Sequence, residues 1–225
     1  MTHNSHKKRG FTLLELLIVI AIIAVLSVIL IIVINPAEVL QKARDSQRMS
    51  DLNTLKTALG IFLTSTTTPY LAGATSNAAC KPITGAWTAS DKIYYSLPGS
   101  GITDATLDGG IGGAPGIGQV AAASVPLTDG TGWLPVNLDS LIGGSPISNF
   151  PIDPVNTIAD LANVSSTDKV YRYVCSDSKT FEIDAQLESS AYTADDDKRA
   201  KDGGNNSNFY EVGTNLKILG AGSDF

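Results

Sequence analysis

Histidine is absent from the sequence beyond position 6, and this absence excludes several classes of catalytic site. Both histidines of the 225-residue chain, His3 and His6, fall within its first ten residues. The rest of the chain therefore has no Ser-His-Asp triad, no Cys-His pair and no HExxH zinc motif. No other combination of acid, base and nucleophile stands out, so we expect a protein that is not an enzyme.

Acidic residues are absent from the first ten positions, which instead carry Lys7, Lys8 and Arg9. Without these three basic residues, the rest of the chain has 13 basic and 22 acidic side chains and a net charge of −9. A body this acidic is a poor match for nucleic acid, whose binding depends on cations that neutralise phosphates. We therefore expect no nucleic-acid partner.

A long apolar run follows the basic start. Residues 11–34 contain only three polar side chains, Thr12, Glu15 and Ser27. As a helix this run spans about 36 Å, enough to cross a hydrocarbon core of about 30 Å. It is too long for the apolar region of a cleaved signal peptide, and no small-residue cleavage site closes it. The basic residues on its N-terminal side predict a membrane helix with a cytoplasmic N-terminus and an exported body.

Glu15 is unusual because it is an ionisable side chain within the apolar run. A carboxylate at the centre of a membrane helix costs about 2.5–3.5 kcal/mol, and less near the interface. Either the side chain reaches the lipid head groups or it pairs with a cation. No lysine or arginine lies between Phe11 and Lys42. A cut between Gly10 and Phe11, however, would create an α-ammonium four residues from the carboxylate.

Residues 7–20, Lys-Lys-Arg-Gly-Phe-Thr-Leu-Leu-Glu-Leu-Leu-Ile-Val-Ile, resemble the N-terminal signature of bacterial type IV prepilins and type II secretion pseudopilins. The resemblance implies that the leader ends at Gly10, that the chain is cut there, and that the same peptidase N-methylates Phe11. It also implies that Phe11, Thr12 and Glu15 act in assembly. The mature chain would join a helical filament through its N-terminal helix.

The same resemblance implies partners and locations. We expect the partners to be copies of the chain, a prepilin peptidase/methyltransferase, a membrane assembly platform and the lipid bilayer before assembly. The subunit would lie in the inner membrane before assembly, and then in an extracellular or envelope-spanning filament. Two alternatives stay open: a pseudopilin of a type II secretion or DNA-uptake system, and a monomeric single-pass membrane-anchored binding module.

A break in the helix is predicted where the apolar run ends. Asn35 suits an N-cap, Pro36 suits the first position of a new helix, and Glu38 sits where a capping-box acid belongs. Proline within a continuous helix would remove a hydrogen bond and clash with the preceding turn. The sequence therefore predicts a kink at Asn35 and Pro36, within one long N-terminal helix.

The second half of this helix, residues 35–63, is predicted to be amphipathic. One apolar stripe, expected to hold a sheet, recurs at three- and four-residue steps at Leu52, Leu55, Leu59 and Phe62. The charged part before the stripe contains Asp45 and Arg48 at the spacing of an i,i+3 ion pair. We expect this part to stay partly exposed.

Residues 64–225 are predicted to form an exported, pilin-like head. Residues 170–175, 181–188 and 209–219 are β-rich and predict three antiparallel strands, and residues 93–95 are a further short candidate. Along 181–188 apolar side chains alternate with acidic or amide ones, which predicts a sheet with one solvent-exposed face. The fold class is therefore α+β, a long N-terminal helix whose first half spans the membrane, packed on a small antiparallel β-sheet.

The middle of the head gives weaker signals. Residues 109–118 include six glycines and predict an irregular loop. Residues 132–138 and 150–156, which contain Trp-Leu-Pro and Pro-Ile-Asp-Pro, are similar to segments that precede the sheet in many pilins. Most of residues 64–167 stay unassigned.

The chain has two cysteines, Cys80 and Cys175, which lack CxxC spacing. In an exported domain an even pair favours a disulfide over two free thiols. Closing so long a span would contribute roughly 4–5 kcal/mol in the chain-entropy model.

An acidic segment near the C-terminus is a candidate calcium site. Its hard oxygen donors are Asp195, Asp197, Asp202 and Asn205. Major pseudopilins, which the N-terminus resembles, carry a calcium site in a C-terminal loop. Three interleaved cations favour a solvated polar turn instead. We expect no other cofactor.

Overall fold

The computed structural model describes residues 10–103 and 115–220. Residues 1–9 of the predicted leader and residues 109–114 of the predicted glycine-rich loop lie outside the described residues. The chain divides into a first unit that ends at Leu40 and a second unit that begins at Gln41. From here on, the head means this second unit, which includes residues 41–63 as well as the predicted head, residues 64–225. The helices are α1 (Leu13–Ile34) and α2 (Pro36–Ser65), and the strands are β1 (Lys92–Tyr95), β2 (Gly116–Gly118), β3 (Arg172–Cys175), β4 (Phe181–Ala185) and β5 (Tyr210–Gly213).

The first unit contains α1, a helix of 22 residues in which no side chain is buried. It is long and apolar enough to cross a membrane. Its serine, Ser27, donates its hydroxyl hydrogen to the Ile23 carbonyl at 2.8 Å, so the helix satisfies its own polar side chain. An apolar surface of this extent requires lipid or other protein to cover it.

The helix is interrupted at Asn35. This residue has left-handed backbone angles, φ 45° and ψ 77°, and its N–H donates to the Ile31 carbonyl as the C-cap of α1. Its own carbonyl accepts from the N–H groups of Glu38 and Val39 at the start of α2. Asn35 therefore ends one helix and begins the next, with Pro36 as the first residue of α2. Asparagine tolerates this conformation better than most residues other than glycine.

The head contains one five-stranded sheet with the order β2-β1-β3-β4-β5. The pairings β1–β3, β3–β4 and β4–β5 are antiparallel, whereas β1 and β2 are parallel. The three strands predicted to be antiparallel, β3, β4 and β5, pair in that way, but the sheet as a whole is mixed. The reason is β2, which the sequence assigned to an irregular loop. A Cβ atom on Gly118 would overlap the Tyr94 ring, so β2 pairs with β1 because glycine permits the close approach.

The predicted apolar stripe of α2 packs on one face of the sheet, and this prediction is confirmed. Leu52, Leu55, Leu59 and Phe62 are all buried in the larger core cluster. From the sheet and the loops, this cluster takes Tyr171, Tyr173, Phe181, Ile183, Trp133 and Phe150. Burying each of these large side chains contributes about 1.5–3 kcal/mol relative to leaving it exposed.

The other face of the sheet is also covered, so the predicted solvent-exposed face was wrong. Every residue of β4 is buried, including Glu182 and Asp184. A second apolar cluster, which contains Trp87, Ile102, Val164, Ile218 and Leu219, lies apart from the α2 cluster. Asp184 pairs with Arg172 on β3, with Nε to Oδ1 at 2.7 Å. The acidic side chains that alternate along β4 therefore do not face water. They bind a buried arginine or the backbone N–H groups of a covering segment.

Candidate processing and assembly site

The predicted cleavage point is open in the structure. Gly10 is exposed, and a Cβ atom built on it would meet nothing within 4 Å. Phe11 is 84% exposed. The described fold therefore gives no steric reason for a glycine at this position.

Thr12 and Glu15 form a capping box at the start of α1. The Thr12 hydroxyl accepts from the Glu15 N–H at 3.2 Å, and the Glu15 carboxylate accepts from the Thr12 N–H at 3.4 Å. Each side chain thus satisfies a backbone donor that the first turn of a helix leaves free. The sequence analysis missed this role, although the Thr-x-x-Glu spacing before an apolar run is its known signal.

The capping box fixes where the Glu15 carboxylate lies. Because it accepts from Thr12, the carboxylate lies at the N-terminal end of α1, next to Phe11. Glu15 is the single acidic or basic residue of α1. The sequence-predicted assembly residues Phe11, Thr12 and Glu15 are therefore adjacent on one exposed helix end. Cleavage after Gly10 would place the new ammonium within the same helix end.

In the head, Cys80 and Cys175 form a disulfide, as the sequence predicted. Their Cα atoms are 4.7 Å apart and the bond closes a span of 95 residues. The Lys81 N–H donates to the Cys175 carbonyl at 2.9 Å. The disulfide therefore attaches the segment after α2 directly to β3.

The candidate calcium residues do not form a single cluster of free oxygens. The Asp197 carboxylate accepts from the Arg199 side chain at 3.0 Å. Asp202 accepts from the N–H groups of Gly204 and Glu211. Within residues 10–103 and 115–220, no group of three or more histidine, cysteine, aspartate or glutamate side chains is arranged to hold a metal ion. Calcium binding at this segment stays a prediction.

A buried ion network joins α2 to Asp153 and Glu188, which come from later in the chain. The Asp45–Arg48 pair forms, with Nη1 to Oδ1 at 2.9 Å, but both side chains are fully buried. Arg48 also binds both oxygens of Asp153, at 2.6 and 2.9 Å. Glu188 contacts Arg48 and accepts two bonds from Arg44. The rest of the charged segment is partly exposed, as expected, and only the Asp45–Arg48 pair within the segment is buried.

Sequence reasoning missed the partners of Arg48 because they are distant in the chain. Asp153 lies in the Pro-Ile-Asp-Pro segment, which was noted only as similar to pilins, and Glu188 lies just beyond β4. Burial alone favours a neutral Arg48, but the hydrogen bonds that its guanidinium donates to Asp153 and Glu188 outweigh this effect and raise its pKa. For Glu188 burial acts against the charge, yet Arg44 and Arg48 lower its pKa to about 2.

A second buried group of carboxylates lies between β4 and β5. One oxygen of Glu182 accepts from the N–H groups of Ile218 and Leu219, and one oxygen of Glu211 accepts from the Asn206 N–H. The other oxygen of each carboxylate is buried, and these two oxygens can hydrogen-bond to each other only if one of the two carboxyl groups is protonated. Burial and the presence of the other carboxylate raise the pKa of Glu211 well above its ordinary value of 4.5. The two groups are therefore stable when they share a proton.

One known family pattern matches the chain. The family model for the prokaryotic N-terminal methylation motif matches residues 5–31, which include the predicted cleavage point, the capping box and most of α1. No curated protein matches the chain, and no solved structure matches it. The match stops before the head, whose α+β arrangement is pilin-like. The chain thus carries the N-terminal signature of type IV prepilins and pseudopilins.

Proposed function

We propose that the chain is the structural subunit of a type IV pilus-like filament. It is made as a membrane prepilin, cleaved after Gly10, N-methylated on Phe11 and polymerised through α1. The observation that carries this proposal is α1 itself, a 22-residue helix with no buried side chain and with one ionisable residue at its N-terminal end. Such a helix needs two successive environments, the lipid bilayer before assembly and the helices of neighbouring copies afterwards.

The Glu15 carboxylate then acts in assembly by pairing with a neighbour. In a bundle of α1 helices, it meets the Phe11 ammonium of an adjacent copy in a setting without water. Removing one partner from a buried ion pair costs about 3–5 kcal/mol, because the other charge is left uncompensated. A copy that enters out of register leaves both charges unpaired. Glu15 therefore sets the axial position of each subunit as well as contributing attraction.

This function implies the remaining partners and locations. A prepilin peptidase/methyltransferase cuts and methylates the chain, and a membrane assembly platform adds it to the filament. Before assembly, the chain lies in the inner membrane with its N-terminus in the cytoplasm. After assembly the heads lie outside that membrane. A disulfide between Cys80 and Cys175 fits an oxidising location of this kind.

The test separates the charge of Glu15 from its role in the capping box. Glu15→Gln keeps an oxygen that can accept from the Thr12 N–H, because glutamine also serves in capping boxes, but it removes the charge. Glu15→Leu removes both, and Glu15→Asp keeps the charge on a shorter side chain. We expect Gln and Leu variants to insert and be cleaved, yet to give less than a tenth of the parent's filaments. The Glu15→Asp variant should retain part of the parent's filament yield.

The measurement is the amount of filament sheared from cells that make each variant as their single copy at matched membrane levels. Electron microscopy identifies the filaments and mass spectrometry identifies the subunit. Full assembly of Glu15→Gln would show that capping, not charge, is what Glu15 supplies. Full assembly of Glu15→Leu would contradict the proposal and favour an anchored monomer. Filaments that remain within the envelope would instead favour a pseudopilin.

A further inference from the structure

The exposed side of α2 borders a groove that no charged residue lines among the described residues. Two adjoining depressions of about 440 and 270 Å³ share Ile61 and Pro146. Their walls are α2 on one side and the segment that contains Pro146 and Ile147 on the other. We call this surface the α2 groove, and the residues used below to describe it are Asn53, Thr54, Thr57, Ile61, Pro146 and Ile147.

Three polar side chains of the α2 groove donate a hydrogen bond to their own helix. Asn53 donates to the Met49 carbonyl at 2.7 Å, Thr54 to the Ser50 carbonyl at 2.8 Å, and Thr57 to the Asn53 carbonyl at 2.8 Å. A polar group that has its hydrogen bond can be buried without the penalty of about 1–3 kcal/mol for an unsatisfied one. Ser27 in α1 uses the same four-residue bond, in a helix that must be covered.

An apolar side chain projects beside the groove. Ile142 lies in the wall of the smaller depression and is fully exposed. Gly143 and Gly144 follow it with φ of 101° and 84°, a backbone region that favours glycine. Ile61 itself is 42% exposed. The surface thus combines exposed apolar groups with pre-satisfied polar ones, which is typical of a surface that is covered in an assembly.

The net charge of the chain bears on what covers the α2 groove. The chain without its leader has a net charge of −9, so two copies repel each other wherever their acidic surfaces meet. A surface without charge is where copies can approach with the least repulsion. We propose that the α2 groove is the surface of the head against which a neighbouring copy packs in the filament. This inference rests on the proposed filament function and adds a contact separate from that of α1.

The test uses a single introduced thiol. Both native cysteines are in the disulfide, so Thr57→Cys or a control, Ser90→Cys, supplies the only free thiol of the chain. Ser90 is exposed on a turn and does not line the groove. The rate of maleimide labelling is measured on sheared filaments and on the same full-length subunit in detergent. We expect labelling of Thr57→Cys to be at least tenfold slower in filaments, and labelling of Ser90→Cys to change less than twofold.

A second pair of variants covers a failure of Thr57→Cys to assemble. Thr57→Glu places a charge in the groove and should reduce filament yield at least tenfold, whereas Ser90→Glu should not. Filaments that form normally but leave Thr57→Cys as reactive as in detergent would overturn the groove and leave the proposed function intact. An absence of filaments from the parent chain would overturn the proposed function, and the groove with it.

Discussion

The two units of the chain differ in where their stabilising contacts lie. In α1 no side chain is buried and the surface is almost entirely apolar. In the head, large apolar side chains are buried on both faces of the sheet, and even Arg48, Arg172, Glu182 and Asp184 are enclosed. The head therefore supplies its own stability, whereas the exposed apolar surface of α1 requires lipid or other protein to cover it. A change in α1 should alter processing or assembly, and a change in the head should alter folding.

The largest effect should come from the cleavage point. Replacing Gly10 with valine should block processing and leave a precursor that still begins with Met1 and remains in the membrane. Because nothing lies within 4 Å of a Cβ at Gly10, this change should not disturb the described fold. Intact-mass analysis of membrane fractions checks it, with Ser27→Ala as a processed control. A normally cut Gly10→Val chain would place the cleavage signal elsewhere.

Within the head, the largest loss should follow from Arg48→Met. This change leaves Asp45, Asp153 and Glu188 without their shared cation in a buried site. We expect the free energy of unfolding to fall by about 3–5 kcal/mol, whereas Lys56→Met on the exposed side of α2 should change it by less than about 0.5 kcal/mol. Urea unfolding of the detergent-solubilised subunit measures both. Equal stability of the two variants would mean that the network contributes little.

A loss of about 2–5 kcal/mol should follow from removal of the disulfide. The double variant Cys80→Ala, Cys175→Ala frees a span of 95 residues in the unfolded state, and the unfolded chain gains entropy. The same unfolding assay detects the change, and processing after Gly10 should be unaffected because that site lies in the other unit. Peptide mapping without reduction should find the linked pair in exported parent protein. Complete alkylation of both thiols in native, unreduced protein would contradict the disulfide.

A dependence of stability on pH should come from Glu211. Its pKa is raised in the folded state, so the folded protein binds more protons than the unfolded chain above pH 4.5. Stability is therefore greatest at acidic pH and falls as the pH rises, by at most about 1.4 kcal/mol per pH unit for one proton. Glu211→Gln should remove this slope and be more stable than the parent at pH 8. Exposed Asp195→Asn is the control, and an unchanged slope in Glu211→Gln would contradict the shared proton.

The contribution of Glu188 to stability should depend on pH in the opposite direction, because it is lost as the pH falls. Its pKa falls from 4.5 to about 2 in the folded state, so its contribution is complete above pH 4.5 and is lost as the pH falls towards 2. Glu188→Gln should weaken the head at pH 6 and reduce the loss between pH 4.5 and 2. Paired unfolding curves at these pH values, compared with those of Glu211→Gln, distinguish the two carboxylates. A parent with no loss of stability in this window would contradict the prediction.

The elements that depend on local patterns could be predicted from the sequence. The stripe of α2 and strands β3, β4 and β5 follow from side-chain period, and α1 follows from its apolar length. β2 could not be predicted, because three residues from a glycine-rich segment carry no strand pattern and pair only through β1. The burial of Glu182 could not be predicted either, since the covering segment at Ile218 and Leu219 lies over thirty residues away in sequence.

In the candidate site too, features with a local sequence pattern could be predicted, and features that depend on distant residues could not. Gly10, Phe11 and Glu15 are found from one continuous motif, and the Thr12–Glu15 capping box has the local signature Thr-x-x-Glu. The partners of Arg48 come from positions 105 and 140 residues away. No local pattern indicates such contacts, because an aspartate or glutamate looks the same in sequence whether it faces water or a buried guanidinium.

The disulfide also determines how the chain carries mechanical load. A pull applied between α2 and any point beyond Cys175 passes through the bond to Cys80 and bypasses residues 81–174. On the α2 side of the bond, only the 14 residues between the end of α2 at Ser65 and Cys80 can then lengthen, by at most about 3.3–3.6 Å each. The long segment within the covalent loop is thus relieved of tension, and its loops can vary in sequence and length without weakening the chain under a pull.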